Sequence, residues 1–141
     1  VATLPNVKVV LSGMSTMEQV DDNLKTFGNF KPMSEEELAT VDKVVDILNN
    51  RVQNGCTGCS YCMPCPAGVN IPKNFRIWNT YHMYQNYNAV RWNWETEMPD
   101  NERANKCIEC GKCEAICPQA LNIREDLKRV MEDLEKKEMI L

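Results

Sequence analysis

Apolar positions along the chain form one short continuous run and several stripes at helical spacing. The run is "NVKVVLSG" (Asn6 to Gly13), β-branched and ended by a glycine. It reads as a buried strand, as in a parallel sheet. "STMEQVDDNLKTF" then places Val20, Leu24 and Phe27 on one helical face, with Ser15 and Glu18 spaced as a capping box. After the loop "GNFKPM", a second helix is predicted over "SEEELATVDKVVDILNNRVQNG". Ser34 and Glu37 would cap it, Leu38, Val41, Val45 and Leu48 form its stripe, and Gly55 stops it. Its three leading glutamates complement the helix dipole. One strand and one helix cannot close a sheet, so this region reads as a piece of something larger.

The pattern then changes. From Val52 to Pro72 no residue is charged, and the stretch is rich in Cys, Gly, Pro and Asn. It suits a loop wrapped around something other than water. "PKNFRIWNTYHMYQNYNAVRWNW" follows, with Phe75, Trp78, Tyr81 and Tyr84 at steps of three. That spacing predicts a helix with an aromatic packing face, on which His82 takes a surface or interfacial place. "ETEMPDNERANK" reads as a polar loop. The tail opens with Asn122 and Glu125 as a capping pair and carries Ile123, Leu127, Val130, Met131 and Leu134 on one stripe. It is predicted to be an amphipathic helix lying over the core.

Composition narrows the function classes. The 141 residues make one ordinary domain or two small ones. A net charge of -4 provides no basic patch for nucleic acid. No run approaches the length of a membrane span, and nothing resembles a signal peptide. A cytoplasmic, reducing location is therefore expected.

All eight cysteines fall in two runs, "CTGCSYCMPCP" and "CIECGKCEAICP". The first is C-x2-C-x2-C-x2-C-P and the second C-x2-C-x2-C-x3-C-P. Their first three cysteines repeat at an offset of 51, which predicts an internal two-fold repeat. The second run is the ligand pattern of bacterial two-cluster ferredoxins. Three thiolates at steps of three let a tight loop cup three irons of a cubane. The fourth cysteine, followed by proline, points away, and in two-cluster proteins it serves the other cluster. One [4Fe–4S] cluster is thus expected on Cys56, Cys59, Cys62 and Cys117, and a second on Cys107, Cys110, Cys113 and Cys65. Two zinc ions or a set of disulfides are the rival readings of eight cysteines.

The long helical link between the motifs resembles the α-helical ferredoxin fold of iron–sulfur subunits of fumarate reductase and succinate dehydrogenase. "LSGMSTMEQVDDNL" contains G-x5-Q-x3-N and resembles the last barrel strand and following helix of aldo/keto reductases. The cysteine runs are similar to the tail of an iron–sulfur branch of that family. The resemblance implies a mainly α chain, with a strand–helix remnant of a (β/α)8 barrel over residues 1–53. An α-helical ferredoxin-like domain would follow over residues 54–141. It also implies that Gly13, Ser15, Gln19, Asp22 and Asn23 face NADP in an intact parent. The catalytic residues of that family have no counterpart here, so the chain by itself is not expected to be a reductase.

The function expected is electron transfer through two clusters, with a one-electron carrier or another subunit as partner. No flavin signature is present to split a hydride into single electrons. The alternatives are a structural or assembly domain stapled by the clusters, or by zinc, and redox sensing by cluster loss.

Overall fold

The computed structural model describes residues 1–136. Residues 137–141, the end of the predicted second domain, lie outside the described residues. Two compact units divide the chain, Val1–Val45 and a second from Asp46 onward. Their border falls inside a helix. No strand occurs among the described residues, and no described helix is long and apolar enough to cross a membrane.

In the first unit the strand expected over Asn6 to Gly13 does not form: residues 7–15 are irregular, and Val9 and Leu11 are exposed. A strand is held by ladder bonds to a neighbour, and no second strand exists among the described residues to supply them. Helix α1 runs over Met17–Gly28. Its capping box sits one residue later than predicted. Thr16 Oγ1 accepts from the Gln19 N–H, and Gln19 Oε1 accepts from the Ser15 and Thr16 N–H groups. Helix α2 spans Glu35–Arg51 and begins as expected. Ser34 Oγ accepts from the Glu37 N–H, and Glu37 Oε2 accepts from the Ser34 N–H. The periodic stripes made both helices, but they did not bury them: Leu24, Phe27, Val41, Val45 and Leu48 remain exposed.

The second unit holds the core. Helix α3 spans Ile71–Tyr84, opened by the Asn70 side chain and stopped by Gln85, which takes φ 50°. The single helix predicted over "PKNFRIWNTYHMYQNYNAVRWNW" is therefore broken. A 3-10 turn, Tyr87–Ala89, and a short α4, Arg91–Glu95, fold back instead. Phe75, Trp78 and Tyr81 are buried, and Tyr84, past the last inward turn, is exposed. The segment predicted as a polar loop supplies Met98 and Ala104 to the core, through 3-10 turns Asp100–Glu102 and Ala104–Lys106. Helix α5 spans Lys112–Ile116 and α6 spans Ile123–Lys136. Ile123, Leu127, Val130 and Leu134 are all buried, with Met131 partly so, and this predicted stripe packs against α3.

The internal repeat extends beyond the cysteines. Up to the third cysteine the offset is 51, and after the shorter first motif it becomes 52. Asn70 then matches Asn122, and Ile71 matches Ile123. Helices α3 and α6 start at matching positions. One missing residue before Cys65 shifts the register without ending the repeat.

Candidate iron–sulfur centres

Each motif folds as the same curled loop. In Cys56–Cys62, Gly58 (φ 71°) and Ser60 (φ 62°) take left-handed backbone conformations; in Cys107–Cys113, Glu109 (φ 55°) and Gly111 (φ 75°) do so at the positions offset by 51. Left-handed residues between right-handed ones turn successive N–H groups to one side, a concavity that favours sulfur-rich anionic groups. The Glu109 N–H donates to Cys107 Sγ at 3.4 Å. After the third cysteine the halves diverge. The second motif continues as α5 to Cys117, whereas the first passes a cis Met63–Pro64 bond to Cys65.

Two cavities lie between the loops and the core helices. Cys56, Cys59, Cys62 and Cys117 line one, with apolar walls from Ile71, Phe75, Leu121 and Ile123. Cys65, Cys107, Cys110 and Cys113 line the other, walled by Ile108, Ile116 and Leu127. Cys62 and Ile71 border both cavities, so the two are adjacent. Each motif's fourth cysteine stands in the cavity of the other motif. Cys59 and Cys110 are exposed and the other six thiols are partly buried. All eight are free of disulfides. Among the described residues, no three His, Cys, Asp or Glu side chains converge on one point as around a single ion; the thiols stand around the two cavities.

Burial pushes the Cys62 thiol above its ordinary range, and the nearby Cys56, Cys59 and Cys117 thiols add to this. Cys113 is raised likewise, first by burial and then by Glu114 and Cys107, against hydrogen bonds from the Glu114 and Cys113 N–H groups. Grouped thiolates repel in an apolar setting, so these sets need a positively charged core to become ligands. A four-thiol lining with apolar walls is the donor chemistry of a [4Fe–4S] cluster.

The residues that position the loops were not singled out in the sequence. Asn54 is buried; its Oδ1 accepts from the Cys56 N–H at 2.9 Å and its Nδ2 donates to Asp126 Oδ2 at 2.6 Å. Its backbone is held in turn by the Asn79 side chain. Asn74, fully buried, donates to Glu102 O and accepts from the Ala104 N–H, fixing the turn that leads into Cys107. Arg124 and Glu114 pair at 2.8 Å across α6 and α5. Nothing in the local sequence, "RVQNGC" around Asn54 or "IPKNFRIW" around Asn74, marks these two amides as buried. His82 Nε2 lies 2.8 Å from Asp133 Oδ2, which also accepts from Trp78 Nε1, so His82 ties α3 to α6.

The residues matched to the nucleotide pattern gather at the start of α1. Gln19 spends its amide oxygen on the Ser15 and Thr16 N–H groups, and Asn23 donates to Gln19 O and Ser12 Oγ. Asp22 is exposed. Nothing lies within 4 Å of the place a Gly13 side chain would take.

Residues 55–123 match the family described as "4Fe-4S dicluster domain". The chain thus carries a 4Fe-4S dicluster domain of ferredoxin type, and two [4Fe–4S] clusters are its cofactors. A more distant likeness is to a protein of Archaeoglobus profundus named for its similarity to a heterodisulfide reductase subunit. That relative is 23% identical over 107 residues, a stretch covering 75% of this chain and 55% of the relative. The chain therefore spans about half the length of the curated relative it matches. Neither match is to an aldo/keto reductase. No solved structure matches the chain.

Proposed function

We propose that the chain is a two-cluster electron relay in which Cys56, Cys59, Cys62 and Cys117 hold one cluster. Cys107, Cys110, Cys113 and Cys65 hold the other. The observation that carries this reading is the pair of adjacent thiol-lined cavities with crossed fourth cysteines. Each [4Fe–4S] cluster, when bound, supplies a centre that takes up and releases one electron at a time. The chain's own residues do the rest. Cys62 and Ile71 keep the two sites side by side, and Phe75, Leu121, Ile123 and Leu127 keep water from them. Asn54 orients Cys56 through its N–H.

The partner is a one-electron carrier or another subunit of an oxidoreductase. The relative's name, which points to heterodisulfide reductase, favours a place inside a larger assembly. Iron and sulfide content after anaerobic reconstitution, with spectra before and after dithionite, tests the relay. Two reducible clusters per chain are expected. If neither is reduced at a potential that a cellular donor reaches, the structural staple replaces the relay. Cys65→Ser is expected to damage the second-motif cluster and spare the first. The opposite loss would overturn the ligand assignment.

A finer reading makes residues 1–53 the end of an aldo/keto reductase barrel, with Gly13, Ser15, Gln19, Asp22 and Asn23 toward NADP. The sequence motif G-x5-Q-x3-N, carried by Gly13, Gln19 and Asn23, favours it. The reading frame upstream of Val1 tests it: a barrel with the family's catalytic residues carries it, and any other domain removes it.

A further inference from the structure

An open groove of about 750 Å³ runs between the Cys56 loop and the outer face of α3. Its loop wall is nearly bare backbone at Gly55 and Gly58, and no atom lies within 4 Å of the place a Gly58 side chain would occupy. Cys56 itself lines the groove, and the neighbouring Cys59 is exposed, so the first loop covers its thiols thinly. The α3 wall carries Lys73 and Arg76, and the lining contains no carboxylate, in a chain with 20 acidic and 16 basic residues. Lys73 Nζ is held in place by Glu97 O at 2.7 Å, and Arg76 is exposed with no ion pair among the described residues. Arg51 adds a third cation at the Met83 end, donating to Met83 O at 3.0 Å. The second motif's outer face is different. Two of its cations are paired locally, Lys128 with Glu109 at 3.0 Å and Arg124 with Glu114 at 2.8 Å, and the exposed Lys112 stands alone beside Cys113 with no ion pair among the described residues.

We propose that this groove is the docking face of an acidic one-electron carrier protein, which exchanges electrons with the Cys56 cluster. The inference rests on the relay reading. Uncompensated positive charge beside a thinly covered redox centre raises the encounter rate with an anionic partner and leaves a cationic one unfavoured. In the exchange the reduced carrier loses one electron and is oxidised, and the first-motif cluster gains that electron; no proton or bond is transferred.

The test uses the reconstituted full chain with dithionite-reduced acidic two-cluster ferredoxin as donor, followed by stopped flow at several salt concentrations. R76E is compared with K128E, which has the same net charge but alters the other face; iron content and reduced-state spectra qualify both proteins. R76E is expected to slow reduction about tenfold at low salt and to flatten the salt dependence, with K128E close to wild type. R76Q replaces R76E if the latter loses iron. A wild-type rate in the Arg76 variant, an equal loss in K128E, or no reduction of wild type by the ferredoxin overturns the docking proposal. A mediated potentiometric titration separates the two readings. Clusters that reduce normally while the ferredoxin arm fails remove only the docking face, and clusters that never reduce remove the relay itself.

Discussion

At the scale of single residues, the cysteines announce themselves and their supports do not. Asn54 is the clearest case: a small amide, buried beside the loop, that accepts from the Cys56 N–H and donates to Asp126. Asn54→Ala leaves both partners unsatisfied in a half-buried place, which costs on the order of 1–3 kcal/mol. The holoprotein is expected to unfold earlier in denaturant and to lose iron faster to a chelator, the first-motif cluster before the second. Unchanged iron retention would show that Asn54 does not position the loop. The left-handed positions were equally hidden. Gly58 and Gly111 suggest such conformations, but their counterparts Glu109 and Ser60 hold the same region with side chains that rarely adopt it. A shared three-dimensional task, not residue type, marks these positions.

At the scale of elements, periodicity placed α1, α2, α3 and α6, and burial was reached only in α3 and α6. The α6 stripe was read residue for residue, because a helix packed on one side must put its apolar groups on that side. The break at Gln85 was not legible, since the aromatic spacing continues past it into Tyr87 and Trp94. Tyr87 is buried where the chain turns back beside Tyr81 of α3, and Trp94 where Arg103 covers its ring. Tyr87 gives this fold-back a pH signature. Burial, with the hydrogen bond to Glu95 next, pushes its hydroxyl up to about 12, whereas in an unfolded chain it ionises near about 10. The folded state thus favours the neutral phenol. Its stabilising contribution is complete below about pH 10 and is lost as the pH rises toward about 12. Denaturation curves across that window are expected to weaken for wild type and to be flatter for Tyr87→Phe. Parallel curves would show that the phenol is not the group responsible.

At the scale of the whole molecule, the crossed fourth cysteines give the relay reading its sharpest consequence. Cys117→Ser is expected to impair the cluster begun by Cys56, far away in sequence, while the cluster of its own motif survives. Reduced-state spectra of Cys117→Ser and Cys65→Ser should therefore show complementary losses. Loss of the Cys107–Cys113 cluster in Cys117→Ser would mean that each motif fills its own site. The apolar faces of α1 and α2, and the strand that did not form, show the limit of pattern reading. Period two or period 3.6 states which face would be buried, not whether anything is there to bury it. The sequence by itself determined the chemistry and the repeat, because thiolate spacing, proline placement and helical stripes are local properties carried by neighbouring residues. Only the tertiary structure decided which cysteines share a cavity, where α3 stops, and that Arg76 has no ion pair among the described residues beside the first loop. These depend on contacts between residues tens of positions apart, brought together when the matching helices α3 and α6 pack.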